Sequence, residues 1–220
     1  ILDQANRVLE PKLRADEIIG VYAGLRPLVA NNKSATTTKL SREHTVDRPA
    51  AGFVSIAGGK YTTYRVMGKD VVDRAVIELR RLTQESVTEK LPLVGADGYF
   101  ALEQQKERIA QESGLAVETV EHLLNRHGSL ISEILEIIED QPKLAHKLDA
   151  ALPYIKAEIV YAASHEGARS VDDVISRRTR LSFEAAKHGV HLAEEVAALI
   201  SPVFGWSAKE RKESVAQYIE

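Results

Sequence analysis

Cysteine is absent from the 220 residues, which excludes disulfides, thiolate metal sites and a cysteine nucleophile, and fits a reducing, cytoplasmic setting. Aromatic residues are scarce, at 5%. No apolar run approaches the roughly 20 residues of a bilayer-crossing helix, so no transmembrane segment is expected, and no basic, apolar, small-residue leader opens the chain. Neither charge sign dominates. A formal net charge of −3 gives no field that would gather nucleic acid or anionic lipid, and nucleic acid is disfavoured as a partner. None of the 13 glycines stands in G-x-G spacing, so the pyrophosphate-binding fingerprint of a dinucleotide fold is missing. The single methionine is Met67. A chain that opens at Ile1 without an initiator is expected to be a piece of something longer.

What is present is an ordinary globular composition, 44% hydrophobic and 28% charged, long enough for one large domain or two small ones. The character changes near residue 90. Before it, "EIIGVYAG" (17–24), "SREHTVD" (41–47) and "GFVSIAG" (52–58) are rich in Val, Ile, Thr or Tyr and bounded by turn residues, which predicts strands. "VANNKSATTTK" (29–39) is small and polar and reads as a loop. In residues 62–82, Met67, Val71, Val72, Ala75, Val76 and Leu79 recur at helical spacing, so one long helix should pack on a sheet.

After "LPLVGADG" (91–98) only helical periodicity remains. Candidate helices span 99–113, 116–127, 130–139, 143–149, 154–165, 171–178, 182–200 and 208–219, at least one of them a single turn. Gly114, Gly128 and Gly167 stand where helices should stop, and Ser170 and Ser207 each precede an acid by three residues, Asp173 and Glu210, as capping boxes do. The expected fold class is therefore α+β: a β-rich N-terminal segment with one long helix over residues 1–90, then an all-α domain over 91–220.

The stretch "SIAGGKYTTYR" (55–65) joins the last strand to the long helix. Gly58 and Gly59 allow backbone to approach a ligand without an intervening side chain, and the helix beyond presents unpaired N–H groups and a positive dipole end. Lys60 adds a full charge, and Thr62 and Thr63 are placed to cap the helix or to donate hydroxyl hydrogen bonds. The set suits an anion or an electron-rich heterocycle, although a tight turn with a solvated lysine fits the local pattern equally well, and the P-loop spacing is absent. Arg26 in "GLRPL" precedes a rigid proline, and Arg42 opens "SREHTVD"; two converging guanidinium forks with a lysine would hold a phosphate. Elsewhere, His188, His191, Glu194 and Glu195 sketch a metal site on one helix face, but no second helix offers matching ligands, and no metal is expected. Arg177, Arg178 and Arg180 fit a helix C-terminus pairing with acids at an interdomain contact.

Taken in order and at this spacing, "GLRPL", "SREHTVD" and "SIAGGKYTTYR", with "AEIVYAASHEGARSVDDVISRRTRLSF" (157–183) further on, resemble the C-terminal part of the FAD-dependent glycerol-3-phosphate dehydrogenases, close relatives of the glycerophosphate oxidases. The resemblance covers essentially the whole chain. It implies that Arg26, Arg42 and Lys60 bind the substrate, glycerol 3-phosphate. It also implies that Gly58, Gly59, Lys60, Thr62 and Thr63 lie against FAD, and that electrons pass to a quinone from an enzyme peripheral on the inner membrane face. The catalytic group stays unknown, and a homo-oligomer stays open. Because the pyrophosphate fingerprint is missing, this chain alone is expected to hold no FAD and to be inactive. A stand-alone helical interaction module and a fragment of a related oxidase are the alternatives.

Overall fold

In the computed structural model, which describes residues 1–25, 43–79 and 83–220, the chain divides into two units. One comprises Ile1–Tyr22 with Leu93–Glu220 and the other Ala23–Pro92. The chain starts with a single helical turn, α1 (Leu2–Ala5). The strand expected over residues 17–24 does not form: Ala15–Glu17 make a 3-10 turn, and no regular element follows as far as residue 25. Ile18, Ile19, Val21 and Tyr22 are all at least half exposed. Side chains of β type do not make a strand unless a neighbour takes up the backbone hydrogen bonds.

In the smaller unit, β1 (His44–Ala50) and β2 (Phe53–Gly58) pair antiparallel, with His44 opposite Gly58 and Val46 opposite Ile56. Gly52, at φ +76°, makes the connection. The register shifts between Asp47 and Ala50, where Pro49 has no N–H to give to the ladder. A 3-10 turn (Tyr61–Thr63) leads into α2 (Tyr64–Leu79), as the periodicity predicts. Met67, Val71, Ala75 and Val76 are partly covered on it, while Val72 and Leu79 stay exposed. Among the described residues of this unit none is buried, so a two-stranded sheet and one helix do not close a core. The loop expected over 29–39 and the helix end at 80–82 lie outside the described residues.

From Tyr99 onward the regular elements of the larger unit are helices: α3 (Tyr99–Glu103), α4 (Lys106–Ser113), α5 (Val117–His127), α6 (Ile131–Asp140), α7 (Lys156–Ser164), α8 (Leu181–Glu184), α9 (Ala193–Phe204) and α10 (Ala208–Ile219). α5 shows why: Val120, Leu123, Leu124 and His127 recur at helical spacing and are all buried. Stops fall where glycines permit them, Gly114 and Gly128 each at positive φ. The Ser207–Glu210 capping box forms, and the Asp173 N–H donates to Ser170 Oγ at 3.1 Å. α7 is buried nearly all round. Its Ala157 and Tyr161 join a core built on α4, α5 and α6, while its Ile159, Ala162 and Ala163 join a second core with Val174, Leu181, Val196 and Ile200.

Three expected helices are corrected. The one over 99–113 breaks at Gln104–Gln105 into α3 and α4, and the one over 143–149 is only a 3-10 turn, Pro142–Ala145. The helix over 182–200 breaks because Lys187, His188 and Gly189 adopt left-handed φ values of 51°, 57° and 71°, a run that helical spacing does not reveal. Asp173–Arg178 form a π-type turn, closed by the Thr179 N–H donating to the Val174 carbonyl at 2.8 Å. No helix among the described residues is long and apolar enough to cross a membrane.

Candidate functional site

Gly58 and Gly59 take φ values of +78° and +82°, a region that side chains bearing a Cβ avoid. At Gly59 a Cβ would also stand 2.6 Å from Met67 Sδ and 3.1 Å from His44 Cβ. The glycine is therefore required twice, by backbone angle and by space. Lys60 is extended and exposed, and the helical path starts at Tyr61. Thr63 Oγ1 donates to the Lys60 carbonyl at 3.0 Å instead of capping a helix N–H, and it tightens the turn. Thr62 is exposed.

A recess of about 370 Å³ is lined by Glu43, His44, Lys60, Thr63 and Val66. Lys60 brings a cation to this recess and Glu43 a carboxylate. Gly58, Gly59, Lys60, Thr62 and Thr63 thus stand together at the strand-to-helix junction. Arg26 and Arg42 lie outside the described residues. The donor set fits the edge of a flavin ring: bare backbone at two glycines, one cation and a helix N-terminus. Nothing in it resembles a pyrophosphate cradle.

Sequence spacing missed His44. Its Nε2 lies 2.8 Å from Asp70 Oδ2, and because a carboxylate only accepts, the imidazole proton sits on Nε2. Asp70 shares the face of α2 that carries Met67 and Val71, but its partner stands 26 residues away and local spacing does not reveal the pair.

A buried polar cluster in the helical unit was also missed. Glu158 is 2% exposed. It accepts from His122 Nε2 at 3.0 and 3.2 Å, from His127 Nε2 at 3.4 Å and from the Ile155 N–H at 2.9 Å. Arg126 Nε stands 3.2 Å away as an ion pair, off the line of a hydrogen bond, and the Arg126 guanidinium lies over the Tyr154 ring. Burial alone would raise the Glu158 carboxyl, but the two histidines and the Ile155 N–H outweigh it and hold the pKa down at about 2. Beside the cluster, Tyr161 Oη donates to Glu133 Oε2 at 2.6 Å, and burial followed by that carboxylate raises the phenol.

The histidines of the sketched metal site turn to other partners: His188 Nδ1 faces the Ser182 carbonyl at 3.0 Å and His191 Nε2 faces Asp149 at 3.2 Å. Arg177 pairs with Asp172 and with Asp173, the latter at 3.1 Å, Arg178 donates to the Glu166 carbonyl at 2.7 Å, and Arg180 lies 3.7 Å from Glu184. All these partners belong to the helical unit.

Residues 86–211 match the family described as the C-terminal domain of alpha-glycerophosphate oxidase. The chain is 49% identical over 219 residues to glycerol-3-phosphate dehydrogenase 2 of Mycobacterium tuberculosis, covering 100% of this chain and 37% of that protein. It is 47% identical over 218 residues to the glycerol-3-phosphate dehydrogenase of Mycobacterium leprae (99% and 37%), and 32% identical over 221 residues to the mitochondrial enzyme of Mus musculus (98% and 30%). Among solved structures it is similar to the glycerol-3-phosphate dehydrogenase from Bacillus halodurans complexed with FAD. The TM-score is 0.65 at 22% identity, over 81% of this chain and 36% of that one; at that identity the likeness concerns the fold. The chain spans little more than a third, 37%, of the mycobacterial relatives' length.

Proposed function

We propose that this chain, which belongs to the family of the C-terminal domain of alpha-glycerophosphate oxidase, is the C-terminal portion of a flavin-dependent glycerol-3-phosphate dehydrogenase. The intact enzyme would oxidise sn-glycerol 3-phosphate to dihydroxyacetone phosphate and pass the electrons to a quinone. The observation that carries this reading is the 49% identity along the whole chain to a glycerol-3-phosphate dehydrogenase. The Gly58–Thr63 turn supports it, because its chemistry is that of a flavin-ring contact. A related glycerophosphate oxidase is the second reading, favoured by the family's description.

FAD, when bound, supplies the hydride acceptor for C2 of the substrate. Gly58 and Gly59 would let backbone approach the ring edge, and Lys60 with the helix N-terminus would supply positive charge beside it. Arg26 and Arg42 clamp the phosphate and so fix the reacting carbon in reach. In domain terms, residues 1–90 are assigned to the FAD and substrate domain and 91–220 to a helical domain. The start of the helical domain agrees with the unit that resumes at Leu93, whereas Ile1–Tyr22 groups with that unit and not with Ala23–Pro92.

Two expectations test the reading. Arg26→Ala and Arg42→Ala in the intact enzyme should each raise the KM for glycerol 3-phosphate roughly ten- to a hundredfold, since a charge-assisted hydrogen bond contributes about 1.5–3 kcal/mol. Turnover of free glycerol should change little. Equal losses on both substrates, measured by steady-state kinetics, would assign the arginines to the fold and not to the phosphate. Secondly, the 220-residue chain by itself should purify colourless and give no calorimetric heat with FAD, with affinity no better than about 1 mM, because ring-edge contacts lack the pyrophosphate anchor. Micromolar FAD binding would contradict this.

A further inference from the structure

We propose that His44 and Asp70 form a positioning pair that fixes the Gly58–Thr63 turn, and with it Lys60, at the flavin and substrate site. The inference rests on the flavin-dependent reading above and deepens it. His44 is the first residue of β1 and stands opposite Gly58, the last residue of β2. Its imidazole reaches Asp70 on the second turn of α2, 26 residues along the chain, at 2.8 Å. One bond thus links the strand before the turn to the helix after it.

The same side chain encloses the turn sterically. A Cβ at Gly59 would meet both His44 Cβ and Met67 Sδ, and His44 also lines the recess that holds Lys60 and Thr63. His44 also borders a second hollow, lined by Val46, Asp70, Asp73, Arg74 and Ile77. The side chain of His44 is 19% exposed and that of Asp70 41%, so the link is partly shielded from water.

Within this chain none of the described residues of this unit is buried, and the His44–Asp70 bond is a specific polar link between β1 and α2. Gly58 and Gly59 are the most permissive backbone positions available. A turn built from two glycines needs a restraint from outside itself, and the His44–Asp70 bond spans it. The consequence is catalytic, since a misplacement of about 1 Å in a positioning group is enough to cost on the order of a hundredfold in rate.

The test uses the intact flavin-loaded enzyme with two variants. Asp70→Asn is isosteric and removes the charge behind the imidazole, while His44→Phe keeps a ring against Gly59 and Met67 but removes the N–H. Both should lower kcat for glycerol 3-phosphate by about tenfold or more and shift the visible absorbance bands of the bound flavin, with the melting temperature unchanged. A merely structural pair would lower the melting temperature and leave flavin spectrum and kcat alone, and that result overturns the proposal. Wild-type spectrum and kinetics in the variants overturn it equally. Should His44→Phe not accumulate as folded protein, Asp70→Asn decides alone. A wild-type enzyme that carries no flavin or does not oxidise glycerol 3-phosphate is a separate outcome, which removes the functional reading and this inference with it.

Discussion

Replacing Glu158 with alanine is expected to cost the helical unit about 3–5 kcal/mol, the penalty of breaking a buried ion pair by removing one partner. The carboxylate accepts from His122, His127 and the Ile155 N–H and neutralises Arg126; without it these donors face one another in a nearly dry interior. Helices α5 and α7 are held together there, so the loss should appear in urea unfolding followed by far-UV circular dichroism. Acid should act in the same direction. The folded pKa of about 2 lies below the ordinary 4.5, so the stabilisation is fully present above about pH 4.5 and is lost as pH falls toward 2. The Glu158→Ala variant should lack that limb of the pH dependence. Wild-type unfolding free energy that is flat between pH 5 and 3 would show that the cluster contributes nothing.

Gly59→Val in the intact enzyme is expected to abolish retention of flavin through purification. The position sits at φ +82° with His44 Cβ and Met67 Sδ crowding it. The Met67 side chain can swing away, but His44 Cβ is fixed to the strand, and a β-branched residue at positive φ costs on the order of 1–3 kcal/mol before any clash. The turn must therefore move, taking Lys60 and the start of α2 with it. Gly68→Ala is the matched control: it lies within α2, nothing stands within 4 Å of its added Cβ, and a helix interior gains about 0.5–1 kcal/mol from the change. Flavin-to-protein ratios of both variants, read by absorbance, check this, and a fully loaded Gly59→Val enzyme would contradict it.

What the sequence made legible was what repeats locally. α5, α7 and α10 follow from their apolar spacing, stops at Gly114 and Gly128 from glycine's freedom, and the Ser207 cap from an acid three residues on. The break at Lys187–Gly189 escaped because Lys187, the first of its three left-handed residues, is a type that seldom adopts that conformation. The absent strand at 17–24 escaped because strand formation depends on a neighbour, which residue type does not encode. At the site, Gly58, Gly59 and Lys60 announced themselves by adjacency. Asp70, 26 residues from His44, did not, since pairing across a fold leaves no trace in local spacing. Glu158 left a faint one, an acid set between Ala157 and Ile159 in an otherwise apolar run.

The most direct test of the account is to purify the complete parent chain and titrate it anaerobically with glycerol 3-phosphate while recording the visible spectrum. The account predicts a yellow protein whose flavin absorbance bleaches on addition of substrate and returns when a quinone is added. A colourless protein, or a flavin band indifferent to glycerol 3-phosphate, would contradict it.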